Sequence, residues 1–143
     1  MLDLNTKFGR VAKKQLKSEY FIWLTTVDSK GAPQPRPVWF IWDNDTILIF
    51  SQAKAHKVKH IQQNPQVSLH FNTEDVPGDK RVIILTGTAV IDKDCPPANK
   101  LRAYLRKYKS GIANLSSSAT PAEFAADYSV AIRITPTNLR GWE

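Results

Sequence analysis

Two kinds of hydrophobic pattern alternate along this chain. Short runs rich in Ile, Val, Phe, Trp and Thr are typical of β-strands, and they alternate with stretches whose apolar residues recur every three or four positions, as in amphipathic helices. The first pattern predicts six strands, at residues 20–27, 34–42, 46–51, 66–72, 81–91 and 128–135. Residues 138–142 are a candidate extension of the last strand.

The second pattern predicts four helices, at residues 5–18, 54–63, 97–109 and 121–126. Thr120 is suited to cap the last of these, because its hydroxyl can accept a bond from a free backbone N–H. Asn64 and Pro65 end the second helix, since the residue before a proline avoids the helical conformation. Gly87 predicts a bend or bulge within the fifth strand.

Short turns at residues 28–31 and 43–45 connect the first three strands, so we expect these strands to form an antiparallel meander. The length of 143 residues corresponds to one domain, residues 1–143. Closing a sheet removes its exposed edges. The pattern therefore predicts a mainly β domain, a six-stranded antiparallel barrel with peripheral helices, and an open sandwich is the alternative.

The charge of the chain favours anionic partners. Its net charge is +7 and its pI is about 9.6, a balance that suits phosphates, nucleic acid or acidic membranes. Several cations fall in residues 102–109, where the helical pattern favours a solvated face over a nucleic-acid interface. We therefore regard nucleic acid as an unlikely partner.

Disulfide-bonded, cysteine-metal, membrane and secreted proteins are disfavoured, because the sequence lacks the features of each. Cys95 is the single cysteine, so neither an internal disulfide nor a cysteine metal cluster can form. No apolar run approaches the roughly 20 residues of a membrane helix, and the first residues lack the apolar core of a signal peptide. We expect a cytoplasmic protein with no membrane partner. No Ser-His-Asp or Cys-His arrangement is suggested, and we assign no catalytic side chain.

Three prolines in the second predicted strand are unusual. Pro33, Pro35 and Pro37 alternate along the strand, so all three missing N–H groups lie on one edge. Such an edge faces either solvent or a flat ligand that lies against the backbone. Arg36 lies between two of these prolines, and its planar guanidinium suits a phosphate or a ring carbonyl, with a surface ion pair as the structural alternative.

Cations also recur at helical spacing in the second predicted helix. Lys54 and Lys57 share a face with Val58 and Ile61, and the helix N-terminus adds free N–H groups, which together predict a phosphate site. Ser51 and Gln52 supply further donors. The opposite face, which includes His56 and His60, is predicted to be exposed. These two histidines are four residues apart, but no third ligand is apparent and we predict no metal site.

In this order and spacing, the motifs resemble the pyridoxamine 5′-phosphate oxidase-like family of FMN-binding split-barrel proteins. The resemblance covers residues 15–135 and is carried by Thr25-Thr26, the segment 33–40, the strand ending at Ser51, the Lys54/Lys57 helix, the segment 64–69 and the segment 86–89. Trp39-Phe40 and Gly141-Trp142 are similar to the branch that contains reductases dependent on the deazaflavin coenzyme F-420.

This resemblance implies a cofactor, FMN or the deazaflavin coenzyme F-420, held at the interface of a homodimer. Trp39 would shape the ring pocket, the backbone of residues 36–39 and 49–51 would border the ring, and Arg81, Arg140 and Trp142 could reach the cofactor across the dimer. A frayed tail is the alternative for the C-terminal residues. The candidate cofactor-binding residues are Arg36, Pro37, Val38, Trp39, Ile49, Phe50, Ser51, Gln52, Lys54, Lys57, Arg81, Arg140 and Trp142.

The sequence therefore predicts a flavin-dependent oxidoreductase that transfers hydride to or from a small conjugated substrate, with the chemistry carried by the cofactor. One alternative is a flavin carrier or sensor without turnover. A second is a nucleic-acid-binding small barrel, prompted by the charge. A pyridoxamine phosphate oxidase proper is disfavoured, because the chain is short and no additional Arg/His cluster is present for a second phosphate.

Overall fold

A computed structural model describes residues 2–73 and 81–142 of the chain. The strands are β1 (Phe21–Val27), β2 (Pro33–Trp39), β3 (Ile41–Asp43), β4 (Thr46–Ser51), β5 (Gln66–His70), β6 (Val82–Ile91) and β7 (Val130–Trp142). The α-helices are α1 (Lys7–Ser18), α2 (His56–Gln63), α3 (Arg102–Ala113) and α4 (Pro121–Asp127), and a 3₁₀ turn spans Ala98–Lys100.

The seven strands described form one antiparallel sheet in the order β2-β1-β5-β6-β7-β4-β3. The strands at the two edges, β2 and β3, are consecutive in the chain and are separated only by Phe40. One residue cannot span the width of a flat seven-stranded sheet, because strands lie about 4.8 Å apart. The sheet must therefore curl until its edges meet at Phe40. The predicted split barrel with peripheral helices is confirmed.

The strand count of six is wrong, because the predicted strand over residues 34–42 is two strands. Its first part pairs with β1 and its second part pairs with β4, so the expected meander of three strands is instead two hairpins joined at Phe40. The residues after Phe40 leave one edge of the sheet and begin the other. A change of pairing partner does not alter the hydrophobic pattern, so the break is invisible in the sequence.

Helix α3 closes the corner at Phe40. The backbone N–H of Phe40 donates to the Tyr108 hydroxyl oxygen over 2.8 Å. The Phe40 carbonyl accepts from Lys107 Nζ over 2.9 Å, and the Tyr108 hydroxyl lies 2.8 Å from the same carbonyl and 2.7 Å from the Tyr20 carbonyl. Buried backbone groups need hydrogen-bond partners. At Phe40 no neighbouring strand among those described provides them, and the side chains of Lys107 and Tyr108 take that role.

Two apolar cores lie on opposite faces of the sheet. Strand β4 is buried on both faces, with Ile47 and Ile49 in the barrel interior and Leu48 and Phe50 under helices α3 and α4. This burial explains its uninterrupted apolar run, because a strand covered on one face only would alternate. The interior core is closed by Val58 and Ile61 of α2 and by α1. The aromatic rings of the second core border the candidate site.

Several local predictions are confirmed. Thr120 caps α4 and accepts a bond from the Glu123 backbone N–H. Asn44 and Asp45 have positive φ in the two-residue turn between β3 and β4. A register shift occurs at Gly87, where an added Cβ would lie 2.5 Å from the Thr135 carbonyl oxygen, so the close approach of β7 requires glycine. The last strand does extend to Trp142.

Three helices differ from the prediction by two residues or more at one or both ends. Helix α1 begins at Lys7 after its Thr6 cap, and α3 begins after the separate 3₁₀ turn and continues to Ala113. Helix α2 begins at His56, because residues 52–55 form a turn in which the Ala55 N–H donates to the Gln52 carbonyl. None of the helices described is long and apolar enough to cross a bilayer.

Candidate functional site

Two neighbouring clefts open beside strand β2. The first has a volume of about 400 Å³, and we call it the cationic cleft; it is lined by Leu24, Thr26, Gln34, Arg36, Ala55, His56, Lys57 and His60. The second has a volume of about 230 Å³, and we call it the aromatic cleft; it is lined by Phe21, Pro37, Val38, Trp39, Phe50, Lys57, Tyr104, Leu115, Phe124 and Tyr128. Lys57 lines both clefts, so they adjoin one another.

The register of the first hairpin places Arg36 in the cationic cleft. In the β1–β2 ladder Arg36 is opposite Leu24 and Gln34 is opposite Thr26, and residues opposite each other project from the same face of a sheet. Gln34 is fixed further by a bond of 3.0 Å from its amide to the Asp28 carboxylate in the adjoining turn. The strand thus supplies one wall of the cleft.

The alternating prolines lie on the free edge of that wall. Strand β2 pairs with β1 only, in the part of the chain that the structure describes. In an antiparallel ladder, N–H groups of alternate residues point to opposite sides. The missing N–H groups of Pro33, Pro35 and Pro37 therefore leave no gap in the ladder. The outer edge presents carbonyl acceptors without donors, and Arg36 Nη1 donates to the Pro35 carbonyl over 3.0 Å.

Helix α2 supplies the other wall and its cation. Lys57 is in the first turn of the helix and is half-buried. Burial lowers the pKa of its ammonium, and the nearby positive charge of Arg36 lowers it further. No carboxylate is among the described residues that line this cleft. The two cations therefore repel each other, and a bound anion would relieve this repulsion.

The sequence predicts that two histidines of α2 lie on its exposed face. His56 is exposed, as predicted, whereas His60 is half-buried. Both His56 and His60 line the cationic cleft, and His60 Nδ1 lies 2.8 Å from the Thr26 hydroxyl oxygen. Lys57 and His60 are three residues apart in α2 and so share a face. This spacing is present in the sequence, and it places His60 with Lys57 rather than on the opposite face.

The aromatic cleft is built from stacked rings. The Trp39 ring stacks on Tyr108 at a centroid distance of 4.7 Å and on Phe124 at 5.8 Å. Phe124 in turn stacks on Tyr128 at 4.4 Å, and Tyr104 meets Phe50 edge-on at 5.0 Å. Trp39 had been predicted to shape a ring pocket, and it does line this cleft. The rings from α3 and α4 were not anticipated.

One polar atom in the wall of the aromatic cleft is not satisfied. The Tyr104 side chain is fully buried, and its hydroxyl has no hydrogen-bond partner among the residues described. Burial raises the pKa of this phenol, and the neighbouring Tyr108 raises it further, so the hydroxyl keeps its proton. A buried hydroxyl without a partner costs about 1–3 kcal/mol. Sequence reasoning missed it, because Tyr104 fits the apolar stripe of its helix.

Four of the predicted site residues line neither cleft. Lys54 is exposed in the turn before α2, so the helical face that was to include it does not. The Ile49 side chain lies in the barrel interior. Ser51 is buried, and its hydroxyl donates to the Gln52 carbonyl over 3.0 Å. The Gln52 amide donates to both Asp127 carboxylate oxygens, at 3.1 and 3.0 Å, and thereby ties the end of β4 to α4.

Three others lie at the far end of the sheet. Val130 begins β7 opposite Ser51, near the clefts, whereas Trp142 ends it opposite Val82. Arg140 and Trp142 are exposed there, and Arg81, which precedes Val82, contacts Gln15 of α1. A strand advances about 3.3 Å per residue, so these side chains do not reach the clefts of their own chain.

A metal centre is not indicated by the described ranges, 2–73 and 81–142, which hold no group of three or more His, Cys, Asp or Glu side chains placed to bind an ion. The chemistry that the geometry offers is anion binding by Arg36 and Lys57 beside a pocket for planar rings.

Known proteins share this architecture. The structure matches an F420 reductase with a TM-score of 0.67 and 26% identity, over 90% of this chain and 94% of that chain. It matches a FAD-binding protein from Mesorhizobium loti with a TM-score of 0.65 and 17% identity, over 92% of this chain and 90% of the other. The second likeness is one of fold alone.

The sequence is similar to a pyridoxine/pyridoxamine 5′-phosphate oxidase from Blochmanniella floridana, with 34% identity over 88 residues. This stretch covers 61% of the chain and 40% of the relative, so the chain spans less than half the length of that curated protein. The family model described as pyridoxamine 5′-phosphate oxidase matches residues 9–143, nearly the whole chain. The chain belongs to the pyridoxamine 5′-phosphate oxidase family.

Proposed function

We propose that this protein is an oxidoreductase that binds FMN, or alternatively the deazaflavin coenzyme F-420, with a cofactor phosphate in the cationic cleft. The observation that carries the proposal is the pair of facing cations, Arg36 and Lys57, with no carboxylate among the described lining residues. A phosphate would neutralise both, and charge-assisted hydrogen bonds to it are roughly twice as strong as neutral ones.

Each side chain of the cleft has a distinct task in this proposal. The Arg36 guanidinium is planar and can bond two phosphate oxygens at once, whereas the Lys57 ammonium acts as a compact charge. Lys57 also lies in the first turn of α2, where free backbone N–H groups favour an anion. His56 adds a further donor. Thr26 and Gln34 offer polar atoms to a sugar-like chain beyond the phosphate.

A flavin-type cofactor is favoured over other phosphates by the surroundings of the cleft. The family includes oxidases, and one neighbour of 26% identity is named an F420 reductase. Pro37 and Val38 follow Arg36 along β2 and line the aromatic cleft, which shares Lys57 with the cationic cleft. When bound, the cofactor would supply the hydride chemistry, while the chain binds and orients it and excludes water.

We further propose that the active form is a homodimer. Arg81, Arg140 and Trp142 lie at the far end of β6 and β7 from the clefts of their own chain. Trp142 is 63% exposed, which is unusual for a large apolar side chain at the end of a paired strand. In a dimer, these residues of one copy could border the cofactor of the other. The oligomeric state in solution, measured by sedimentation, tests this part.

The phosphate site is tested by titrating FMN into the wild-type protein and into the Lys57→Ala variant, with flavin fluorescence quenching as the readout. We expect at least a tenfold loss of affinity, from the loss of about 1.5–3 kcal/mol for a charged hydrogen bond. Lys59→Ala is the matched control, because Lys59 is an exposed lysine of the same helix. Equal affinities of the wild type and Lys57→Ala would contradict the site.

The same titration with coenzyme F-420 identifies the cofactor, and turnover identifies the class of protein. An oxidoreductase should oxidise either a reduced nicotinamide or the reduced deazaflavin when supplied with an electron acceptor. A protein that binds the cofactor tightly but oxidises neither donor would be the flavin carrier or sensor instead.

A further inference from the structure

The aromatic cleft contains a polar group that the phosphate site does not use. Tyr104 lies between Phe50 and Tyr108, with ring centroids at 5.0 and 4.9 Å. Its neighbour in α3, Tyr108, has a hydroxyl that bonds the backbone at Phe40 and Tyr20, whereas the Tyr104 hydroxyl has no partner among the described residues. The two tyrosines of this cluster therefore differ. The Tyr108 hydroxyl is hydrogen-bonded to the backbone, whereas the Tyr104 hydroxyl, in the wall of the cleft, is not hydrogen-bonded to any described residue.

The rest of the lining restricts what a ligand of this cleft can be. Apart from Lys57, Tyr104, the Tyr128 phenol and the Trp39 indole, the side chains that line it are apolar. Lys57 also faces the cationic cleft, where the proposed cofactor phosphate would engage it. Pockets for drug-sized ligands measure about 300–1,000 Å³, so the cleft of about 230 Å³ suits a smaller compound of one or two rings.

We propose that the aromatic cleft is the substrate pocket of this protein, and that the Tyr104 hydroxyl selects a small, flat, uncharged ring compound with a carbonyl oxygen. This inference rests on the proposed function, since it places the substrate beside the cofactor. The phenol O–H donates a hydrogen bond to the carbonyl oxygen and thereby gains the partner that the fold does not supply. The aromatic rings of Trp39, Phe124 and Tyr128 cover the faces of the compound.

Entry to the hydroxyl requires a small displacement of the rings above it, because the Tyr104 oxygen is closed to solvent in this structure. Phe124 and Tyr128 are the candidates for this movement. They belong to the end of the short helix α4, whose seven residues are held by the Thr120 cap and by the bonds from Gln52 and Ser118 to Asp127. The carbonyl group of the ligand would then occupy the position beside the Tyr104 hydroxyl that the displaced ring had covered.

The test compares two compounds of matched shape, 1-tetralone and tetralin, on FMN-loaded wild type and Tyr104→Phe. In calorimetric titrations we expect 1-tetralone to bind the variant about fivefold more weakly, the loss of one neutral hydrogen bond. Tetralin has no carbonyl, and its affinity should change by less than twofold. Equal affinities of both proteins for 1-tetralone, or exclusion of 1-tetralone by bound FMN, would overturn the proposal.

Two controls separate this proposal from the cofactor site. Tyr104→Phe should bind FMN as tightly as the wild type, because the substitution leaves the cationic cleft unchanged. If the wild type does not bind FMN at all, the proposed function fails, and the two compounds are then titrated into the cofactor-free protein. If the wild type then binds 1-tetralone more tightly than tetralin and Tyr104→Phe does not, the proposed pocket is still supported. If neither protein prefers 1-tetralone, the pocket is refuted.

Discussion

The two clefts share Lys57 but contribute to the protein in opposite ways. The aromatic cleft is an extension of a core, whose stacked rings bury apolar surface and whose Tyr108 hydroxyl satisfies the corner at Phe40. The cationic cleft brings Arg36 and Lys57 together without a carboxylate among the described lining residues, and it desolvates one of them. One region stabilises the fold, and the other reduces stability, a cost that the proposed binding of a phosphate would offset. Functional sites often show this conflict between stability and activity.

The largest expected effect comes from the hydroxyl of Tyr108. The Tyr108→Phe substitution leaves the Phe40 N–H buried without an acceptor, so we expect the free energy of unfolding to fall by about 2 kcal/mol. Tyr104→Phe is the matched control, since it removes a hydroxyl without a partner and should leave the stability unchanged or slightly higher. Urea denaturation of both variants measures the difference. Similar losses of unfolding free energy in the two variants would contradict the different roles assigned to the Tyr108 and Tyr104 hydroxyls.

A smaller effect of opposite sign is expected at Lys57. The Lys57→Met variant loses the repulsion from Arg36 but keeps the side-chain length, so the ligand-free protein should become more stable by roughly 0.3–0.5 kcal/mol, a modest gain because solvent screens the half-buried charge. Saturating FMN should reverse the order, because a ligand stabilises the form that binds it more tightly. Thermal unfolding with and without FMN makes the comparison. A variant less stable under both conditions would show that Lys57 supports the fold.

A pH dependence is expected at Lys107, between the corner and the aromatic rings. Burial lowers the pKa of this lysine to about 8 from its ordinary value of 10.5, against the opposing influence of Glu19. The unfolded chain therefore binds more protons than the folded one between these values, and stability should rise with pH there. We expect the free energy of unfolding to rise from pH 8 to 9.5 in the wild type relative to Lys107→Met.

Lys109→Met is the control for this slope, because Lys109 is exposed on the same helix. If the free energies of unfolding of the wild type and Lys107→Met changed in parallel with pH, burial would not destabilise the charged form of Lys107.

The sequence was sufficient for the parts of the site that depend on local spacing. Arg36 is placed by strand alternation between prolines, and Lys57 by its distance from Val58 and Ile61, so both could be predicted to meet a ligand. Lys54 is predicted to join them but lines neither cleft, since the turn at residues 52–55 delays the helix by two residues. Helix boundaries depend on turn geometry that periodicity does not record.

Long-range relations were beyond the sequence for a different reason. The break at Phe40 leaves the pattern of β2 and β3 unchanged, and the partners of Phe40 are 67 and 68 residues away in α3. Whether Tyr104 or Tyr108 has a bonded hydroxyl depends on which of them faces that corner. Both occupy the same apolar stripe, and spacing alone does not distinguish them.

The position of Phe40 also decides where this chain could be cut. New termini in the turn at residues 28–31 would leave both edges of the sheet joined through Phe40, so a circularly permuted protein opened there keeps its closure. Termini placed between Phe40 and Ile41 would remove the covalent link between the two edge strands, which do not pair with each other in the described sheet. The edges could then separate, and the β3 edge lacks the prolines that protect β2. The link at this single residue thus decides whether a permuted chain keeps its closed sheet or becomes prone to edge-to-edge association.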